Sequence, residues 1–254
     1  MLSDLNKVNW NNLSHAYGEA ADVPALLLGL ASEAPDTRQK ALILLYRNIW
    51  HEGVVFEATA YAVPFLRQLL EHPEVQDKGK ILILLAHLAT GNAYLDVFPS
   101  DETAETLSET TYKARLAMER SWVQATNDAV QKGTPTYVRL LEDRDPIVRM
   151  CAAYLLACFQ TINRKIVPVL LQIIENEVQQ QAKASMMLAL GVLAKNRPAY
   201  IECLHRFRGP AHPLLVRVAA TMAIARNQRT AAPDDALELL VDALSAPGAE
   251  LHTA

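Results

Sequence analysis

The chain has 254 residues, of which 51% are apolar but only 6% aromatic. A core drawn mostly from Ala, Leu, Val and Ile, with nine glycines and few β-branched runs, excludes an all-β fold and predicts an all-α one. The formal net charge of −4 argues against nucleic acid and anionic membrane as general partners.

Taken in order, Asn6 to Tyr17 predicts a first helix, with Val8, Leu13 and Tyr17 inward and Gly18 as its stop. Asp22 and Pro24 open the next, which turns at Pro35-Asp36 into a longer helix over Thr37 to Ile49. A second pair begins near Val55. Its apolar stripe runs through Ala58, Tyr61, Phe65 and Leu69, with Pro64 either kinking the helix or dividing it. Asp77 to Ala89 is the partner helix.

Residues 91–110 interrupt the pattern with five acids and no base, and read as an insertion. Thr111 to Lys132 predicts one long helix outside the repeats. Regularity then returns: Thr136–Leu141 pairs with Pro146–Phe159, Ile166–Ile174 with Val178–Ala194, and Pro198–Phe207 with Pro213–Ala225. In the first of these pairs Ile147, Met150, Cys151, Tyr154, Leu155 and Cys158 recur at helical spacing and predict its inward face. The openings at Asp145, Glu177 and His212 lie 32 and 35 residues apart, which predicts an α-solenoid of antiparallel helix pairs over 1–254 as one domain.

The repeated features are a turn acid, then Arg, then Ala three residues later: Asp145 with Arg149 and Ala152, Arg38 with Ala41, and Arg217 with Ala220, while Gln181 and Ala184 make a weaker copy. These units resemble HEAT repeats, which implies a superhelix in which acid and Arg positions join neighbouring turns. More narrowly, LSHAYGEAADVPALL, HEGVVFEATAYAVPFL and DRDPIVRMCAAYLLACF resemble bacterial HEAT-repeat proteins described as similar to phycobilisome lyase repeats. That resemblance implies fold and bacterial origin and no particular activity.

No phosphate loop, nucleophile elbow, HExxH or CxxC is present, so no catalytic residue, cofactor or metal ligand is assigned. Cys151, Cys158 and Cys203 read as core thiols of a reducing compartment. The N-terminus has no apolar stretch of signal-peptide length, and no run approaches the roughly 18 residues of a membrane span, so a cytoplasmic location is expected.

Two departures from the repeat carry the candidate contacts. One is the turn around His51, Glu52 and Glu57, where a C-terminal His, a left-handed Gly53 and an N-terminal Glu also suit helix capping, with His15 and Tyr17 placed to pack against it. The other is the acidic insertion, where Tyr94 and Phe98 supply aromatic anchors among Asp96, Asp101, Glu102 and Glu105. Its natural complement is a basic protein. The leading expectation is therefore a non-enzymatic scaffold that binds another protein through a concave face and the insertion. Alternatives are an immunity protein that neutralises a toxin, a HEAT-like lyase or glycosylase using Trp50, Glu57 and Trp122, and a DNA-binding protein using Arg206, Arg208 and Arg226.

Overall fold

The computed structural model describes residues 2, 4–99, 107–194, 197–232 and 234–245. The described chain is helical apart from two short hairpins, and it divides into two compact units, Met1–Thr136 and Tyr137–Ala254. Among the described residues no helix is long and apolar enough to cross a membrane.

The first unit opens on two 3-10 turns, Leu5–Lys7 and Trp10–Asn12, followed by a hairpin of β1 (Ser14–His15) and β2 (Gly18–Glu19). The expected helix over Asn6 to Tyr17 does not form. Asn6, Asn9, Asn11 and Asn12 are poor helix formers whose side chains compete for backbone groups. Gly18 takes φ +117° to close the hairpin, and the Trp10 indole N–H donates to the Leu5 carbonyl. Leu5, Trp10 and Leu13 are buried, whereas Tyr17 is exposed.

Next come α1 (Val23–Gly29) and α2 (Pro35–Ile49), which pack on each other with Gly29 against Ala41. A second hairpin, β3 (Trp50–His51) and β4 (Val54–Val55), leads into α3 (Glu57–Glu71). Helix α3 continues through Pro64, which is exposed. The Thr59 hydroxyl fixes its start by accepting from the Phe56 N–H and donating to the Ile49 carbonyl. Helix α4 (Lys78–Ala89) returns along α3, burying Ile81, Leu82, Leu84, Leu85 and Leu88.

The short α5 (Tyr94–Val97) and the long α6 (Glu109–Gln131) complete this unit, α6 lying against α3 and α4. Ser108 caps α6 by accepting from the Thr111 N–H. The described start of the insertion is thus ordered, and the Leu95 N–H donates to the buried Glu119 carboxylate of α6.

The unit boundary falls within α7 (Thr134–Leu140). Beyond it lie α8 (Pro146–Ala157), α9 (Asn163–Asn176), α10 (Gln180–Leu193), α11 (Pro198–Arg206), α12 (Leu214–Gln228) and α13 (Asp234–Ser245). Helices α9 and α10 form one pair and α11 and α12 the next, while α8, α10 and α12 lie side by side. These three begin at residues 146, 180 and 214, a constant step of 34 in place of the expected 32 and 35. Small residues permit the close packing. A Cβ on Gly191 of α10 would come within 2.6 Å of the Ala223 Cβ, and the Asn227 amide donates to both the Gly191 and the Ala223 carbonyls.

The inward face of α8 differs from the expected one. Val148, Ala152, Ala153, Leu155, Leu156 and Phe159 point inward, whereas Ile147 and Tyr154 are exposed and Cys151 and Cys158 are half-buried. Almost every position of α8 is apolar, so periodicity alone could not select a side; the ion pair of Arg149 does.

Candidate functional site

A charged clamp recurs between successive helix pairs and sets the rotation of the second helices. In the first unit the Arg38 guanidinium donates backward to the Ser32 and Glu33 carbonyls and forward to Asp77 at 2.7 Å. In the second unit Arg149 donates backward to the Asp143 and Arg144 carbonyls and forward to both oxygens of Glu177, at 2.7 and 2.8 Å. Burial alone would raise the Glu177 carboxyl. The Arg149 hydrogen bonds and the Gln179 and Val178 N–H groups outweigh it and hold the group below the ordinary glutamate value of 4.5. Hydrogen bonding from Arg38, chiefly, likewise holds Asp77 below 3.8.

At the 34-residue step Arg149 corresponds to Lys183 and Arg217, so Lys183 rather than Gln181 holds the basic position. Lys183 lies over the Phe207 ring at 5.3 Å, and Arg217 donates to the Arg208 carbonyl. Beside the second clamp lies a cavity of about 270 Å³, lined by Leu141, Asp143, Arg149, Asn176 and Glu177 among others. Its arginine is already committed to Glu177.

Five residues beyond each clamp base stands an exposed apolar side chain. These are Ile43 (48% exposed) after Arg38, Tyr154 (49%) after Arg149, Leu188 (40%) after Lys183 and Met222 (48%) after Arg217. Four second helices in two units therefore present apolar surface at one equivalent position, and in α2 and α8 the clamp is anchored five residues before it.

In the first unit this surface is enlarged by the β3–β4 hairpin. Glu52 and Gly53 have φ of +49° and +85°, the positive pair that a two-residue type I′ turn requires. The expected helix-end capping by His51 is replaced by this hairpin, in which successive side chains point to opposite sides. His51 meets the edge of the Tyr17 ring at 5.4 Å, and Arg47 lies over that ring at 5.5 Å. Trp50 stacks on His87 at 4.9 Å, with the Tyr46 ring edge-on to both and its hydroxyl 3.2 Å from His87 Nδ1. Desolvation lowers the pKa of His87 below the usual 6.5.

The remaining candidates are engaged within the chain. Glu57 accepts from the Ser14 N–H and hydroxyl, joining the N-terminal hairpin to α3. Trp50 and Glu57 thus turn to different partners. Asp96 makes a two-pronged pair with Arg120, Tyr94 packs on Phe98 at 5.1 Å, and Arg115 lies over Tyr94. The described part of the insertion therefore spends its acid and rings on its own chain; Asp101, Glu102 and Glu105 lie outside the described residues. Arg206 pairs with Glu175, and Arg208 with Asp235, so the expected arginine stripe is largely neutralised by neighbouring carboxylates.

Cysteines 151 and 158 are not core thiols. Burial and the neighbouring Asp145 raise Cys151, and burial pushes Cys158 up to about 11. Both are held as unreactive thiols despite their partial exposure. Among the described residues no group of three or more His, Cys, Asp or Glu side chains could hold a metal ion.

Sequence reasoning missed Tyr46, Arg47 and His87. The signal for Arg47 was available, since it lies one turn beyond Ile43 on the same stripe; the meeting of Tyr46 with His87 depends on how α2 and α4 align. Fold and surface together define an all-helical protein of packed helix pairs. No protein-family model matches the chain, and no curated protein matches it.

Proposed function

We propose that the chain is a non-enzymatic interaction scaffold of HEAT-like architecture, binding another protein along the outward face of its second helices and the Trp50 hairpin. The observation that carries this reading is the recurrence of Ile43, Tyr154, Leu188 and Met222 at one position after the clamp base. Solenoids of stacked helix pairs use an extended exposed surface for their partners. Two groups beside the hairpin, Tyr17 with Arg47 and Tyr46 with Trp50, add the residue types that dominate binding energy at protein interfaces.

An immunity protein that neutralises a basic toxin calls for an acidic surface. The face formed by α2 and α4 is basic, so it does not favour that version.

The test is capture of a stoichiometric partner from the native cell with the full chain, compared with Trp50→Ala and Ile43→Asp. Loss of the partner in both variants, with unchanged circular dichroism, supports the reading. Failure to capture any stoichiometric partner overturns it. Retention by both variants with loss only when Asp101, Glu102 and Glu105 are neutralised overturns this choice of surface.

A further inference from the structure

The outward face of α2 and α4 has the opposite charge to the chain as a whole. The chain carries a formal net charge of −4, yet Lys40, Arg47 and Lys80 are exposed on this face. Asp36, in the first turn of α2, is the one carboxylate in the row of α2 side chains that runs through Lys40, Ile43 and Arg47. Asp77, between the two helices, is taken up by Arg38 and Lys80. Neither Lys40 nor Arg47 forms an ion pair with a described carboxylate. Arg47 rests instead on the Tyr17 ring, which leaves its guanidinium able to receive an acid from outside.

Apolar surface is interleaved with these charges. Ile43 stands between Lys40 and Arg47 on the same stripe, and Trp50 opens the hairpin that follows α2. We infer that the segment docking on this face is an acidic protein segment in which Asp or Glu flank an aliphatic or aromatic side chain. The inference rests on the scaffold reading above and adds the chemistry of the partner, which is the reverse of the basic partner that the acidic insertion calls for.

The division of labour follows from magnitudes. Exposed ion pairs contribute little each, so the acids select the partner and speed its arrival, while the apolar anchor seated beside Ile43 supplies the lasting contact. A nucleic acid suits the face less well. Trp50 and His87 already stack on each other with an interplanar angle of 20°, so each has one face closed to a base, and Ile43 offers nothing that a phosphate backbone uses.

The test selects peptides of about 16 residues from a random display library on the immobilised full-length chain, and repeats the selection on the Lys40→Glu/Arg47→Glu variant. The expected binders are rich in Asp and Glu around Leu, Phe or Trp. A labelled binder should lose about tenfold in affinity in the double variant and weaken with added salt, as charge-steered contacts do. Lys165→Glu, which changes an exposed base on a first helix of the second unit, should leave it bound, and matching circular dichroism spectra exclude unfolding as the cause. Neutral or basic binders, binders indifferent to Lys40 and Arg47, or no binders at all overturn the inference. So does a random-sequence single-stranded oligonucleotide that binds the wild type and is lost in the double variant. A cellular partner lost by Trp50→Ala but held by Lys40→Glu/Arg47→Glu leaves the scaffold standing and removes only its acidic partner.

Discussion

The two units use one clamp in two settings. In the second unit the helices α8, α10 and α12 repeat at a constant step, and the clamp carboxylate of Glu177 is almost sealed, with 4% of its side chain exposed. In the first unit the same arginine geometry ends on Asp77, whose side chain is 32% exposed, and the chain leaving α2 makes a hairpin rather than passing directly into the next helix. The difference teaches where to look for function. A regular repeat spends its polar groups on itself. The departure from it, the hairpin, brings Tyr17, Arg47, His51, Tyr46, Trp50 and His87 to the surface of the first unit.

The largest break in that comparison should come from the clamps. Arg149→Ala leaves the Glu177 carboxylate buried without its partner and should cost about 3–5 kcal/mol. Arg38→Ala, which leaves a carboxylate open to water and to Lys80, should cost about 1 kcal/mol. Chemical denaturation of both variants measures the contrast, and equal costs would show that burial does not separate the units.

Glycine contacts come next. Gly191→Ala places a Cβ against the Ala223 backbone, 2.7 Å from its Cα, and should destabilise by about 1–3 kcal/mol because a helix must shift. Gly29→Ala meets only the Ala41 methyl at 2.8 Å and should cost less. Thermal melts of the two variants rank them.

Acidification probes the clamps again. The folded pKa of Glu177 lies below 4.5 and that of Asp77 below 3.8, so each group's contribution is complete above its unfolded pKa and is lost as the pH falls through the lowered folded value. Stability should therefore fall more steeply once the pH drops below about 4.5, with that part of the fall reduced in Glu177→Gln. His87 works in the same direction at higher pH. Its folded pKa lies below 6.5, so its neutral stacked form contributes fully above 6.5, and that contribution is lost as the pH falls through the lowered value. Tryptophan emission should drop below pH 6.5 as the imidazolium forms beside Trp50, and His87→Gln should abolish the step. The smallest effect belongs to Asp96→Asn. That pair with Arg120 is exposed, and its loss should move the melting temperature less than any variant above.

Much of this fold was legible because helix pairs announce themselves through turn residues. Asp145-Pro146 marks a helix start that the structure keeps, Pro35, read as part of a turn, opens α2 two residues before the expected start, and the long helix was placed within two residues of its observed span. The N-terminal helix was misread because Val8, Leu13 and Tyr17 mimic helical spacing while the asparagines between them favour turns. The face of α8 was misread because both of its sides are apolar. Of the candidate surface, His51 and its contact with Tyr17 were legible from a Gly-containing turn. The Trp50, Tyr46 and His87 group was not, since α2 and α4 are separate in sequence and only packing sets their alignment. Within the insertion, Asp96 looks free in sequence but finds Arg120, 24 residues later on α6.

The constant step of the second unit also makes its length editable. Residues 160–193 span one full period and contain α9 and α10. A duplicated copy inserted after residue 193 would present its own Glu177 to Lys183 of the original, a Lys in place of Arg149. The original Gly191 would then meet the copy's Ala189, because Ala189 lies one period before Ala223 and is equally small. The close helix approach carries over, and the chain could be extended by whole periods with each added Leu188 continuing the outward row.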